Sequence, residues 1–177
     1  MTESRKSDVP HGVRLVSLLL AGGGAAGVVV VVLFAIQWFS QGGLVALLLS
    51  SPMLAAFGCS IWIGIELWRG RPWAYTWAKV LFIAQIPTIS LPGLYYEFST
   101  SLRFALTLQP LGYREATGLT FGFGWDFFFG PKIALAISHR IENIEFGLNL
   151  VAIAILIYLV KVTRARKSML QATTVAT

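Results

Sequence analysis

From Val13 to Trp38 the chain carries one charged residue, Arg14, and no proline. At about 1.5 Å of rise per residue, a helix of that length crosses the roughly 30 Å of hydrocarbon in a bilayer. The run is too long for the apolar region of a signal peptide, and no small-x-small cleavage pattern follows it, so it reads as a retained span. Further apolar blocks follow at Leu44–Trp68, Pro72–Ser90 and Phe146–Val160. Hydrophobic residues make up 56% of the 177, gathered into these blocks, which is the composition of an integral membrane protein.

The charge distribution supports the same class. The net charge is +6, but Arg5, Lys6, Arg14, Arg69, Arg71, Lys79, Lys161, Arg164, Arg166 and Lys167 all flank apolar blocks. Bases in that arrangement set orientation across a membrane, and no basic run is interleaved with aromatics as a nucleic-acid surface would be. The expected partners are therefore membrane lipid and a second copy or another membrane protein, with no nucleic acid. The basic ends place both termini in the cytoplasm of a multi-pass protein of the cell membrane, a bacterial inner membrane being the expected one.

Within the first block, Gly23 and Gly27 have the spacing that lets helix backbones approach closely, and helix packing is their expected role. Pro52 interrupts the second block and Pro87 the third; Gln85 precedes Pro87 by two residues. The expectation for Gln85 and Pro87 is a packed kink, since no ionisable residue accompanies them at that depth. Trp62, Trp68, Trp73 and Trp77 collect where the second block gives way to the third, as indoles do at the headgroup level.

Between the third and fourth blocks the period changes from helical to two. Tyr96, Phe98, Leu102, Phe104, Leu106 and Leu108 alternate with smaller or polar residues. Leu119, Phe121, Phe123, Trp125, Phe127 and Phe129 do the same, and Ile133, Leu135 and Ile137 follow after Gly130-Pro131. Such alternation marks half-buried strands. The expected fold is a membrane α-helical bundle of four transmembrane helices, with an extracytoplasmic antiparallel β-meander inserted between helices 3 and 4. Its parts are a cytoplasmic tail over 1–12, helices 1–3 over 13–93, the β-rich insertion over 94–142, helix 4 over 143–162, opened by Asn143 and Glu145, and a basic cytoplasmic tail over 163–177. The aromatic face would need cover, which makes Phe121, Phe123, Trp125, Phe127 and Phe104 the candidate ligand or partner surface.

Chemistry is sparse. Phosphate loops, nucleophile elbows and zinc-protease motifs are absent. His139, Glu142 and Glu145 share a helical spacing but fall short of a zinc donor set, so the expectation is no metal and no cofactor. An enzyme would require Glu97, Arg103, Asp126 and His139 to converge in space. The expected function is that of a non-enzymatic envelope interaction or accessory protein acting through the aromatic sheet face. The alternative is a transporter or carrier subunit for an apolar or amphipathic, lipid-like molecule.

Overall fold

The computed structural model describes residues 9–42, 44–114, 118–138 and 144–175. His139, Glu142 and Asn143 lie outside them. The elements run α1 (His11–Gly42), α2 (Leu44–Trp68), α3 (Pro72–Ala84), β1 (Pro87–Leu91), β2 (Gly93–Ser99), β3 (Leu102–Arg114), β4 (Gly118–Phe129), β5 (Lys132–Ser138), β6 (Glu145–Asn149) and α4 (Leu150–Val175).

The expected bundle of four membrane-spanning helices does not form. Among the described residues two helices, over His11–Gln37 and Ser50–Trp68, are long and apolar enough to cross a membrane. The 13 residues of α3 rise only about 20 Å. Eleven residues of α4 precede Lys161, about 16 Å of apolar helix. The third and fourth apolar blocks are each part helix and part strand. Pro87 does not kink a helix; it opens β1 as a first strand residue, where its missing N–H is tolerated. Gln85 is the C-cap of α3.

α1 and α2 pack closely because small residues line their contact. A Cβ on Gly64 would lie 2.7 Å from the Ala21 nitrogen, and one on Gly24 would lie 2.8 Å from the Phe57 carbonyl oxygen. The Ser60 hydroxyl donates across the contact to the Leu20 carbonyl at 2.9 Å. Within α2, Pro52 lacks the N–H that would bond the Leu48 carbonyl, and the Ser51 hydroxyl donates to that carbonyl instead at 2.8 Å. One apolar core joins all four helices through Leu20, Leu67, Tyr75, Phe82 and Leu159. A smaller one sets Phe98 of β2 against Val31 and Phe57.

The sheet is a second correction. The expected meander of three strands is a six-stranded antiparallel sheet in the order β4-β3-β6-β1-β2-β5. The single strand read through Tyr95–Leu108 is two strands, β2 and β3, broken at Thr100 and Ser101, and they do not pair with each other. The turn at Gly130, with φ of 145°, joins β4 to β5, which occupy opposite edges of the order rather than neighbouring places. The strands adjoining the helices, β1 and β6, fill the centre.

Asn149 couples sheet to helix. Its side-chain oxygen accepts from Val151 N at 3.2 Å and Ala152 N at 3.4 Å, so it caps α4 six residues beyond the expected Asn143. The same oxygen takes Phe104 N of β3 at 3.3 Å, and the backbone N–H of Asn149 donates to Ile86. Asn149→Ala is expected to lower stability by about 2 kcal/mol, the loss of a cap with buried donors left unpaired. Thermal unfolding in detergent checks it, with Asn149→Asp, which keeps the accepting oxygen, expected to avoid most of the loss.

Candidate functional site

Directly opposed residues of paired strands share a face. One row across the sheet runs Phe123, Leu108, Phe146, Ile89, Tyr96; the next runs Trp125, Leu106, Leu148, Pro87. The other face carries the row Gly124, Thr107, Gly147, Thr88, Glu97. Apart from Phe98, which packs on α1 and α2, the two faces meet opposite fates. Phe123 is 88% exposed and Trp125 and Phe129 are each 74% exposed, while Glu97 is 1% and Arg103 3% exposed.

The polar face is buried because the sheet curls around it. β2 and β3 stand fifth and second in the order, roughly 14 Å apart in a flat sheet at about 4.8 Å per strand. Two residues link them, and the Arg103 guanidinium on β3 nevertheless bonds the Glu97 carboxylate on β2. Small residues permit the curl: a Cβ on Gly147 would lie 3.1 Å from both Thr107 and Thr88, and one on Gly124 2.7 Å from the Thr107 hydroxyl. The space beside Gly124 is thus filled by the protein's own β3.

Inside the curl lies a charge cluster. Arg103 Nη1 donates to Glu97 Oε1 and, at 2.9 Å, to Asp126 Oδ2; Nη2 donates to the Thr88 hydroxyl at 3.2 Å. Glu97 Oε2 takes Lys132 Nζ at 2.9 Å and the Tyr95 hydroxyl. Two bases meet two acids, and Glu97 has a donor on each oxygen. The four charges balance, and of them Asp126 and Lys132 are the partly exposed ones. It braces the corner where β2 passes into β3. Next to it the Gln85 carboxamide oxygen accepts from the backbone N–H and the hydroxyl of Thr100, each at 3.2 Å.

The candidate residues are distributed as follows. Phe123, Trp125 and Phe127 stand exposed on β4, with Phe104 partly covered on β3 and its ring 6.4 Å from Trp125. Phe121 is on β4 opposite Pro110. Gly23 abuts the backbone of Thr100, and Gly27 abuts the Phe57 ring. Gln85 and Pro87 stand at the junction of α3 and β1. Of the four residues an enzyme would require, Glu97, Arg103 and Asp126 meet; His139, like the Glu142 that shared its helical spacing, lies outside the described residues. The brace was missed as a structural device because alternation places Glu97 and Arg103 on one side without showing that this side is the inside. Thr88, in the third apolar block, gave no signal.

The helices gather bases at one end. Arg14 lies over the Trp68 ring at 5.8 Å, and Glu66 bonds Arg69 and Arg71. Arg166 of α4 donates to the Gly70 carbonyl and lies 5.0 Å over Tyr75. The start of α1, the turn between α2 and α3, and the charged part of α4 therefore share one level, with Trp62, Trp68 and Trp77 exposed nearby.

No family model, curated protein or solved structure matches this chain.

Proposed function

We propose that this is a small integral membrane protein that works by contact, presenting the aromatic face of its sheet to a neighbour in the membrane. The observation that carries the reading is the exposure of Phe123, Trp125, Phe127 and Phe129 along one strand, a contiguous apolar surface of the kind that marks an interaction site. The shared basic level at Arg14, Arg69, Arg71 and Arg166 supports a cytoplasmic setting for that end, with α1 and α2 crossing the bilayer. The charge cluster supports contact over catalysis, because its buried carboxylate is already held by Arg103, Lys132 and Tyr95.

A photo-crosslinking residue at Phe123 or Phe129, activated in living cells, is expected to form adducts with a membrane component. The same residue at exposed Lys167, on the basic end, is expected not to form them. Equal adducts from both positions, or none from the sheet, would overturn the reading. A carrier for an amphipathic molecule is the second reading. It rests on an apolar groove of about 220 Å³ between α1 and α2, lined by Leu18, Ile65 and Trp68 with Arg69 at its end.

A further inference from the structure

We infer that the neighbour covering the aromatic face is lipid acyl chain, and that the sheet is set into the outer half of the bilayer beside α1 and α2 rather than standing beyond it. This rests on the membrane reading above and names the occupant of its surface.

Depth is the first argument. Arg14 marks the basic level on α1. Gly23 lies nine residues further along, about 13 Å at 1.5 Å per residue, and touches the backbone of Thr100 at the corner between β2 and β3. The corner thus sits near the middle of roughly 30 Å of hydrocarbon, and α1 continues past it to Gln37 as apolar helix. The other two routes agree. α3 reaches its C-cap after about 20 Å, and α4 runs about 24 Å from Arg166, which bonds Gly70, back to Leu150; both meet the sheet within roughly 30 Å of apolar depth. Along the remaining outer half, Phe98 of β2 packs on Val31 and Phe57 of the two long helices.

Polarity is the second argument. A sheet in water puts aromatics in and charges out. This one encloses Glu97, Arg103, Thr107 and Asn149 and turns Phe123, Trp125, Phe127, Phe129, Phe146 and Leu148 outward. That is the polarity of a sheet whose solvent is hydrocarbon, as in membrane barrels with polar interiors. Non-helical backbone at this depth is tolerated where protein surrounds it, and the curl supplies that enclosure for the β2–β3 corner.

Continuity is the third. Leu33, Phe34 and Ile36 on α1 are exposed in the outer half of the span, so the helix and the sheet both turn apolar side chains outward.

The test uses the full chain with Cys59→Ser, carrying a single nitroxide at Phe123→Cys, Trp125→Cys or Phe129→Cys. It is reconstituted in phosphatidylcholine–phosphatidylglycerol vesicles. Leu33→Cys on α1 and Lys167→Cys on the basic end are the controls, and circular dichroism confirms the fold of each. Collision rates are measured with oxygen, which concentrates in hydrocarbon, and with a water-soluble nickel chelate. The sheet positions are expected to match Leu33→Cys, with oxygen access several-fold above nickel access. Nickel access equal to that at Lys167→Cys would place the face in water and overturn the inference. Low access to both reagents would mean that protein, a second copy included, covers it, and would also overturn the inference. If Leu33→Cys itself reads as aqueous, the membrane reading fails and not this step alone.

Discussion

Arg103→Leu is expected to destabilise the protein by about 3–5 kcal/mol, because it strands the Glu97 carboxylate in a site where its main partner was a buried guanidinium. Glu97→Leu should cost a similar amount for the reciprocal reason, leaving Arg103 with Asp126 and Thr88 alone. The outer members of the cluster predict a contrast. The Asp126 side chain is 49% exposed and that of Lys132 41%, so each is less enclosed by protein than the buried pair and can move away from the charge it leaves. Asp126→Ala and Lys132→Ala should each cost about 1 kcal/mol or less. Thermal unfolding in detergent, followed by circular dichroism, ranks the four. A further variant, Glu97→Gln with Arg103→Met, removes both charges and should recover part of the loss; in a double-mutant cycle Glu97 and Arg103 should couple by more than 1 kcal/mol. Tolerance of Arg103→Leu at the level of Lys132→Ala would show that the sheet corner holds together without its ion pair.

The second large effect is expected at Gly23, and its sign should reverse one residue earlier. A Cβ on Gly23 would collide with the Thr100 carbonyl oxygen and lie 2.7 Å from its carbon, both backbone atoms of the corner. Neither can rotate away as a side chain would. Gly23→Ala should therefore cost about 3 kcal/mol, at the upper end of overpacking, and Gly23→Val more. Among the described residues nothing lies within 4 Å of the same added atom on Gly22. There the substitution only removes backbone freedom in a helix, so Gly22→Ala should stabilise by up to about 1 kcal/mol. The pair is read by the shift in melting temperature. Matching shifts for Gly22→Ala and Gly23→Ala would remove the contact between α1 and the sheet corner.

The helix α2 occupies Leu44–Trp68, the stretch its apolar run marked out, because a long uninterrupted block has few other solutions. The shorter blocks were illegible in type. Apolar runs of five or so residues next to a helix read the same as helix or as buried strand, and β1 and β6 were absorbed into expected spans. The β-branched pair Thr88 and Ile89 after Pro87 was the available sign of a strand. The break between β2 and β3 was hidden for a different reason. The two residues Thr100 and Ser101 keep the parity of the alternation, so Phe98 and Leu102 fall in phase across a corner that separates two strands. Alternation also states that two faces differ without stating which one the fold encloses. The aromatic side was expected to be covered by the helix ends, lipid, a second copy or an apolar ligand; Phe98 of that side packs on Val31 and Phe57, while the curl closes over Glu97 and Arg103, whose enclosure depends on pairing between strands far apart in sequence.

The place of β6 has a consequence for how the chain is made. It is third in the sheet, between β3 and β1, yet it is the last strand to leave the ribosome. Until Glu145–Asn149 emerges, the hairpin of β3 and β4 and the trio of β1, β2 and β5 have no ladder between them, and the inner edges of β3 and β1 stand unpaired. At about 5–20 residues per second, the chain from the end of β3 to the end of β6 takes several seconds to appear. For that interval two incomplete sheets, rich in β-branched and aromatic residues, wait with open edges that invite wrong pairing. Nascent-chain assembly must therefore close in the middle: the β3–β4 hairpin and the trio of β1, β2 and β5 come first, β6 locks them together, and α4 receives its cap only when the lock is in place.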